Sequence, residues 1–171
     1  MICSKWRVIF MIGSLAAVCC QFFTGCYSLS GISISQDVKT YYVEQFRSNA
    51  DNAPPTLEQT LTEALKEKIR TESRLIYSDT DPHVEFKGTV VDFRVTSEAP
   101  RPGEFTAINR LTINVAVDYK NNIDKKEWKS NFSFFFDFPS SQDLASIQDE
   151  AIRVISNQLM EDIFNKAFTD W

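Results

Sequence analysis

The chain has 171 residues and a formal net charge of −5, with 18 Lys and Arg against 23 Asp and Glu. This acidic balance disfavours a nucleic-acid-binding surface. All four cysteines lie within residues 3–26, so the rest of the chain has neither a disulfide nor a thiol nucleophile. Its stability must come from a packed core, which 14 phenylalanines and a hydrophobic content of 43% can supply.

The N-terminus has the pattern of a secretory signal. Lys5 and Arg7 give a basic start, and residues 8–23 then carry no charge, in a run too short for a comfortable membrane span. The following Thr24-Gly25-Cys26 resembles the lipobox of bacterial lipoproteins. It predicts a signal peptide over 1–25 and lipidation of Cys26 as the new N-terminus. Two alternatives stay open: Cys26 is an ordinary residue near a cleavage site, or residues 1–25 form a permanent anchor helix.

The next segments predict a tether and a first strand. Residues 26–38 alternate polar and apolar side chains and carry no charge until Asp37, which favours a short lipidated tether. Residues 39–46 contain the β-favouring Tyr41, Tyr42, Val43 and Phe46 and predict a strand. Residues 48–55 end in two prolines and predict a loop.

A helix is predicted to begin after Thr56. Thr56 and Gln59 have the spacing of a capping box, in which the threonine side chain caps the first turn. An apolar stripe then recurs every four residues, at Leu57, Leu61, Leu65 and Ile69. A single stripe on an otherwise polar helix predicts packing against one surface.

Three long strands follow, joined by short turns. Residues 84–95 predict a strand whose apolar phase changes near Gly88 to Val91, which indicates a bulge. Residues 107–119 and 128–138 alternate apolar and polar side chains, so they predict an antiparallel meander with one buried face. The buried side of the last strand is predicted to carry Phe132, Phe134, Phe136 and Phe138. Residues 75–77 are either a short strand or a lead-in.

A second helix is predicted over about residues 142–168, with its apolar stripe at Ile152, Ile155, Leu159 and Ile163. No repeat or linker interrupts residues 39–171, which predicts one domain. The element order predicts an α+β fold: a four-stranded mixed sheet with two helices packed on one face, a two-layer sandwich.

No pattern of catalytic or metal-ligating residues emerges. His83 stands in an Asp-Pro-His turn without a second His or Cys to complete a zinc site. Asp79 and Asp81 lack the glycine and distal glutamate of a calcium loop. No nucleophile elbow or phosphate-binding glycine loop is present. We therefore predict no enzymatic activity, no cofactor and no metal.

The polar face of the predicted sheet is the candidate binding surface. Phe135 points opposite to its phenylalanine neighbours, and Arg94, Lys87, Arg110 and Lys129 are predicted to project beside it. A local basic row in an acidic domain favours either a solvated face or a site for an anionic ligand.

Several short motifs, in this order and spacing, resemble the LptE family of lipopolysaccharide-assembly lipoproteins. They are Gly25-Cys26-Tyr27-Ser28, Gly31-Ile32-Ser33-Ile34-Ser35, Val38-Lys39-Thr40, Pro55-Thr56-Leu57, the Phe-Lys-Gly88 strand and the terminal Ile163-Phe164 to Trp171. The resemblance covers essentially the whole chain after the signal.

The resemblance implies a small α/β lipoprotein of the Gram-negative outer membrane that faces the periplasm. Such proteins plug the lumen of the LptD β-barrel, support its assembly and help to deliver lipopolysaccharide to the outer leaflet. Some members bind lipopolysaccharide directly through basic residues. The rigid Pro100-Arg101-Pro102 turn is then an expected insertion point into the barrel. The rival interpretation is a lipid-anchored carrier or envelope-maintenance domain, which a deep apolar pocket would favour.

Overall fold

The computed structural model describes residue 31, residues 33–98 and residues 107–169. The predicted lipobox with Cys26 and the turn that contains Arg101 lie outside these residues. Two helices are present in the described part, α1 (Leu57–Glu72) and α2 (Leu144–Phe168). Its strands are β1 (Thr40–Val43), β2 (Arg47–Ser48), β3 (Ile76–Tyr77), β4 (Val84–Glu98), β5 (Ile108–Asn121) and β6 (Lys126–Pro139).

The strands form one mixed sheet in the order β3-β1-β4-β5-β6, with β2 also paired to β4. β1 lies parallel to β3 and to β4, and β2 is parallel to β4. The long strands β4, β5 and β6 form the predicted antiparallel meander. The α+β class is confirmed, although the described sheet has six strands instead of four. The two additions, β2 and β3, are only two residues long.

The predicted strand over 39–46 is broken after Val43 because Phe46 turns into the core. Phe46 is fully buried, and its backbone N–H donates to the Thr62 hydroxyl of α1 at 2.9 Å. That N–H is therefore bonded to a helix and not to a neighbouring strand. The chain rejoins the sheet as β2, which pairs with Thr89 and Val90 of β4.

The apolar stripe of α1 is confirmed, since Leu57, Leu61, Leu65 and Ile69 are all fully buried. The predicted capping box is wrong. Thr56 already has helical backbone angles, φ −78° and ψ −13°, and its side chain makes no capping hydrogen bond. A capping side chain needs an extended backbone at this position. The Leu57 N–H instead donates to the Pro54 carbonyl at 3.0 Å.

The predicted bulge lies in β4 between Val90 and Asp92, where the register against β5 shifts. Val91 is left without a cross-strand partner and is exposed. Gly88 serves a different purpose, since the Phe46 ring occupies the space that a side chain at residue 88 would need.

The core lies between the sheet and the two helices. The predicted stripe of α2 is confirmed, since Ile152, Ile155, Leu159 and Ile163 are all buried. From β5, Leu111, Ile113, Val115, Val117 and Tyr119 point into the same core. Phe138 of β6 is buried, while Phe132, Phe134 and Phe136 pack against the core and stay half-buried. In the part of the chain described, no helix combines the length and the apolar character needed to cross a membrane.

Candidate interaction surface

The sheet has an outer face, which we define as the side opposite the helices on β4, β5 and β6. Alternate residues of each strand point to this side, and the register places them in rows across the sheet. One row holds Arg94, Thr112 and Phe135, and the next holds Thr96, Arg110 and Asp137. Four of the five residues predicted to bind a ligand or partner, Arg94, Arg110, Lys129 and Phe135, therefore share the outer face. The fifth, Arg101, lies outside the described residues.

Arg110 is the best-organised side chain of the outer face. Its Nε lies 2.7 Å from Asp137 Oδ1, its Nη2 lies 2.8 Å from Asp137 Oδ2, and its Nη1 is 3.8 Å from Glu98. The hydrogen bond to Asp137 raises the pKa of the Arg110 guanidinium. The guanidinium carbon also lies 3.9 Å from the centroid of the Phe135 ring, a cation–π contact. The exposed Phe135 ring thus lies against the guanidinium of Arg110.

The other cations of the predicted basic row are also paired with acids. Arg94 Nη1 is 2.7 Å from Asp92, and Lys129 Nζ is 3.1 Å from Asp118. Lys87 Nζ is 3.5 Å from Glu44. Each of these cations therefore already has a carboxylate beside it. An anionic ligand would have to compete with these carboxylates. The Arg94–Asp92 pair lies within β4, whereas the pairs of Arg110 and Lys129 join neighbouring strands. Sequence reasoning missed these cross-strand pairs because they depend on the register.

A groove of about 620 Å³ opens at the end of the outer face where β4 begins. Its lining includes Glu85, Lys87, Asp118, Lys120 and Lys129, with Tyr42 at one side. Aromatic residues line the groove as well, but it is open and carries charges of both signs, so it does not match a deep apolar pocket for an acyl chain.

His83 and Asp79 make hydrogen bonds within the fold. His83 Nδ1 accepts the Lys39 N–H at 3.1 Å, and the His83 N–H donates to the Thr40 hydroxyl at 3.0 Å. His83 therefore joins the start of β4 to the start of β1. Asp79 Oδ1 accepts from the Thr80 hydroxyl at 3.3 Å. Among the described residues, no three His, Cys, Asp or Glu side chains gather closely enough to hold a metal ion.

The fold and this surface define a small α+β domain with helices on one face of the sheet and an open, charge-paired second face. Residues 38–167 match the model of the LptE family, described as lipopolysaccharide-assembly. The chain belongs to the LptE family. It is therefore a lipoprotein with a role in lipopolysaccharide transport and outer-membrane assembly, in a family that is non-enzymatic.

Solved structures with a similar fold come from several bacteria. A minor lipoprotein from Acinetobacter baumannii has a TM-score of 0.50 at 10% identity, over 77% of this chain and 93% of its own. A hypothetical protein from Chlamydia trachomatis has a TM-score of 0.50 at 7% identity, over 75% of this chain and 95% of its own. A protein from Xanthomonas campestris has a TM-score of 0.52 at 10% identity, over 80% and 89%. At these identities the likeness shows the fold alone. No curated protein matches the sequence significantly.

Proposed function

We propose that the chain is a non-enzymatic plug and assembly partner of an LptD-type β-barrel, through which lipopolysaccharide reaches the outer leaflet. The observation that carries this proposal is membership of the lipopolysaccharide-assembly family over residues 38–167. A plug acts by shape and contact, so it needs a rigid surface in place of an active site.

The outer face supports a role in partner contact. The helices cover the opposite side of the sheet, which leaves a broad surface with charges of both signs. Arg94, Arg110 and Lys129 are held by carboxylates, and Phe135 is 44% exposed. Pre-oriented charges and one accessible aromatic ring are features of a protein–protein interface. We propose these four residues, together with Arg101, as contacts to the barrel or to lipopolysaccharide.

We further propose that the domain is anchored in the outer membrane and faces the periplasm. Residues 1–25 would be removed as a signal peptide, Cys26 would carry the lipid, and residues 26–38 would form the tether. Residues 39–171 would then form the single functional domain. Several acyl chains on one cysteine hold far more durably than a single chain, since each buried CH₂ contributes about 0.8 kcal/mol.

The rival carrier function receives less support. A carrier for a lipid needs an enclosed apolar pocket, whereas the groove of about 620 Å³ is open and lined by both charged and aromatic side chains. The described core is filled by large side chains, among them Phe46, Phe86 and Phe164.

Depletion of the protein tests the proposal most directly. We expect the LptD-type barrel to mature poorly in depleted cells and to recover when the parent chain is restored. A Cys26→Ala variant should restore it less well, because it cannot be lipidated. Normal maturation of the barrel in depleted cells would refute the proposal.

Site-specific photo-crosslinking tests the proposed contact surface. A photoreactive amino acid at Phe135 or Arg101 should yield an adduct with the outer-membrane barrel. Arg153 is the matched control, because it is exposed on α2 and pairs only with the nearby Glu150, at 2.7 Å. If position 135 recovers no more barrel than position 153, the outer face is not the contact surface. Position 101 tests the predicted turn separately.

A further inference from the structure

The outer edge of β6 is long, and no strand in the described part of the chain pairs with it. In the described sheet β6 lies at the end of the strand order and pairs only with β5. It is 14 residues long, and its register against β5 runs without a bulge. Its middle seven residues, 130–136, contain no charge, proline or glycine. Exposed edges of native sheets are normally shortened, charged or interrupted by bulges, because free backbone groups invite another strand.

The side chains along this edge also favour a neighbour. On the helix side, Phe132, Phe134 and Phe136 stay half-buried although they pack against the core. On the outer face Phe135 is 44% exposed. A strand added beside β6 would cover these rings and satisfy the free N–H and C=O groups together.

The charges that flank the uncharged segment are self-complementary. Lys129 lies four residues before Ser133, and Asp137 lies four residues after it, and all three point to the outer face. We infer that two copies of this chain pair antiparallel through β6 about a two-fold axis at Ser133. Each Lys129 then faces Asp137 of the other copy, and Phe132 faces Phe134. Within each copy Lys129 already pairs with Asp118, and Asp137 already pairs with Arg110. A new ion pair between the copies would therefore link the Lys129–Asp118 pair of one copy to the Asp137–Arg110 pair of the other.

The charges select this register over its neighbours. A shift by one residue would set the helix side of one copy against the outer face of the other. A shift of the axis to Phe132 places Glu127 opposite Asp137, and like charges in that position are destabilising. A shift to Phe134 leaves Lys129 opposite Pro139 and removes both ion pairs. Of these registers, the axis at Ser133 keeps the helix sides of the two copies together and also pairs each Lys129 with Asp137 of the other copy.

This inference goes beyond the proposed function and does not depend on it. Two copies that pair through β6 leave no open edge on this strand. The self-paired form therefore exists only while no strand of another protein is bound at this edge. Failure of the self-pairing would leave the proposed contact between the outer face and a barrel untouched.

Disulfide trapping of the full chain tests the pairing and its register. The four natural cysteines lie at residues 3–26, so the parent chain reports their background crosslinking. In Ser133→Cys the two introduced thiols face each other across the axis, with Cα atoms about 4.5–5.5 Å apart, within disulfide range. Asn131→Cys is the matched control. In the dimer centred on Ser133, the two residues at position 131 would lie about 13 Å apart along the strands. Both positions are exposed on the same face of β6.

After oxidation of the detergent-purified chain, we expect at least fivefold more crosslinked dimer from Ser133→Cys than from Asn131→Cys or the parent. Equal yields from the two variants would overturn the inference, as would a product in which residue 133 is joined to a different protein. Ser133→Lys provides a second measurement, since it sets two like charges face to face at an exposed position. Its sedimentation mass, corrected for bound detergent, should fall by half, from that of two chains to that of one. A dimer that survives this substitution would also overturn the inference.

Discussion

Gly88 lies against the ring of Phe46, and this contact restricts which residues the position can accept. An added Cβ would overlap the Phe46 ring, which is fully buried and cannot swing into solvent. We expect Gly88→Ala to lower the free energy of unfolding by about 1–3 kcal/mol, the usual range for overpacking a core. Urea unfolding followed by circular dichroism measures the change.

Gly31→Ala is the control for this prediction, because no atom of the described residues lies within 4 Å of a side chain at residue 31. It should change the free energy of unfolding by less than about 0.5 kcal/mol. If both substitutions have the same effect, Phe46 does not constrain residue 88.

At the scale of elements, Thr62 attaches α1 to the break between β1 and β2. Its hydroxyl accepts the Phe46 N–H at 2.9 Å and donates to the Glu58 carbonyl at 2.6 Å. Thr62→Val keeps the shape but leaves the buried Phe46 N–H without an acceptor. The expected loss is about 1–3 kcal/mol in the free energy of unfolding, measured by urea denaturation.

Thr60→Val is the matched control for Thr62. Thr60 is exposed on the same helix, and its hydroxyl bonds only to the Thr56 carbonyl, at 2.9 Å. This substitution should change stability by less than about 0.5 kcal/mol. Equal losses at residues 60 and 62 would contradict the role assigned to the buried hydrogen bond.

An ion pair between the helices predicts a pH dependence. Lys68 of α1 contacts Glu161 of α2 and also lies 2.6 Å from Glu72. The hydrogen bond from Lys68 lowers the pKa of Glu161 below its ordinary value of 4.5, against the opposing effect of partial burial. A lowered folded-state pKa stabilises the fold above the ordinary value, and this contribution is lost as the pH falls through the folded-state pKa.

Glu161→Gln should therefore be less stable than the parent at pH 7 by about 0.5–1 kcal/mol, and the difference should shrink below about pH 4. Urea unfolding across this pH range measures it. Glu150→Gln should have a smaller effect, since the Glu150 pair with Arg153 lies within one helix. A difference between parent and Glu161→Gln that stays constant with pH would contradict the prediction.

The long elements could be predicted from the sequence because their periods are strong. The alternation in residues 107–119 reports one buried and one exposed face, and the structure extends that strand to Ile108–Asn121. β2 and β3 could not be predicted as firmly, because two residues have no measurable period and owe their pairing to β4 and β1. The capping box failed because its two residue types do not determine the backbone angles of Thr56.

The residues of the candidate surface could be predicted from the sequence, but the ion pairs between them could not. Alternation alone places Arg110 and Phe135 on the exposed side of their strands. Whether Arg110 meets an acid depends on Asp137 lying directly opposite, and the register that sets this is a property of the folded sheet. The alternation along the strands therefore predicted a row of cations, whereas the structure pairs these cations with carboxylates.

At the scale of the whole molecule, stability should be highest at the centre of the sheet. β5 pairs with β4 and β6 along its whole length, and its Ile113, Val115 and Val117 are fully buried. β3 has two residues on an edge, and Ile76 is 70% exposed. We expect amide hydrogen exchange in β5 to be at least about tenfold slower than in β3, measured by mass spectrometry or NMR. Similar rates in both strands would contradict this prediction.

The parallel position of β1 has a consequence for the order in which the chain folds. β4, β5 and β6 can form from neighbouring segments, whereas β1 pairs residue 41 with residues 77 and 84, far along the chain. Closing such long loops before any contact forms is entropically costly, so local hairpins form sooner. A chain that emerges N-terminus first exposes β1 while its partner strands are still unmade. We therefore expect the first strand to appear to be among the last to take its place in the sheet.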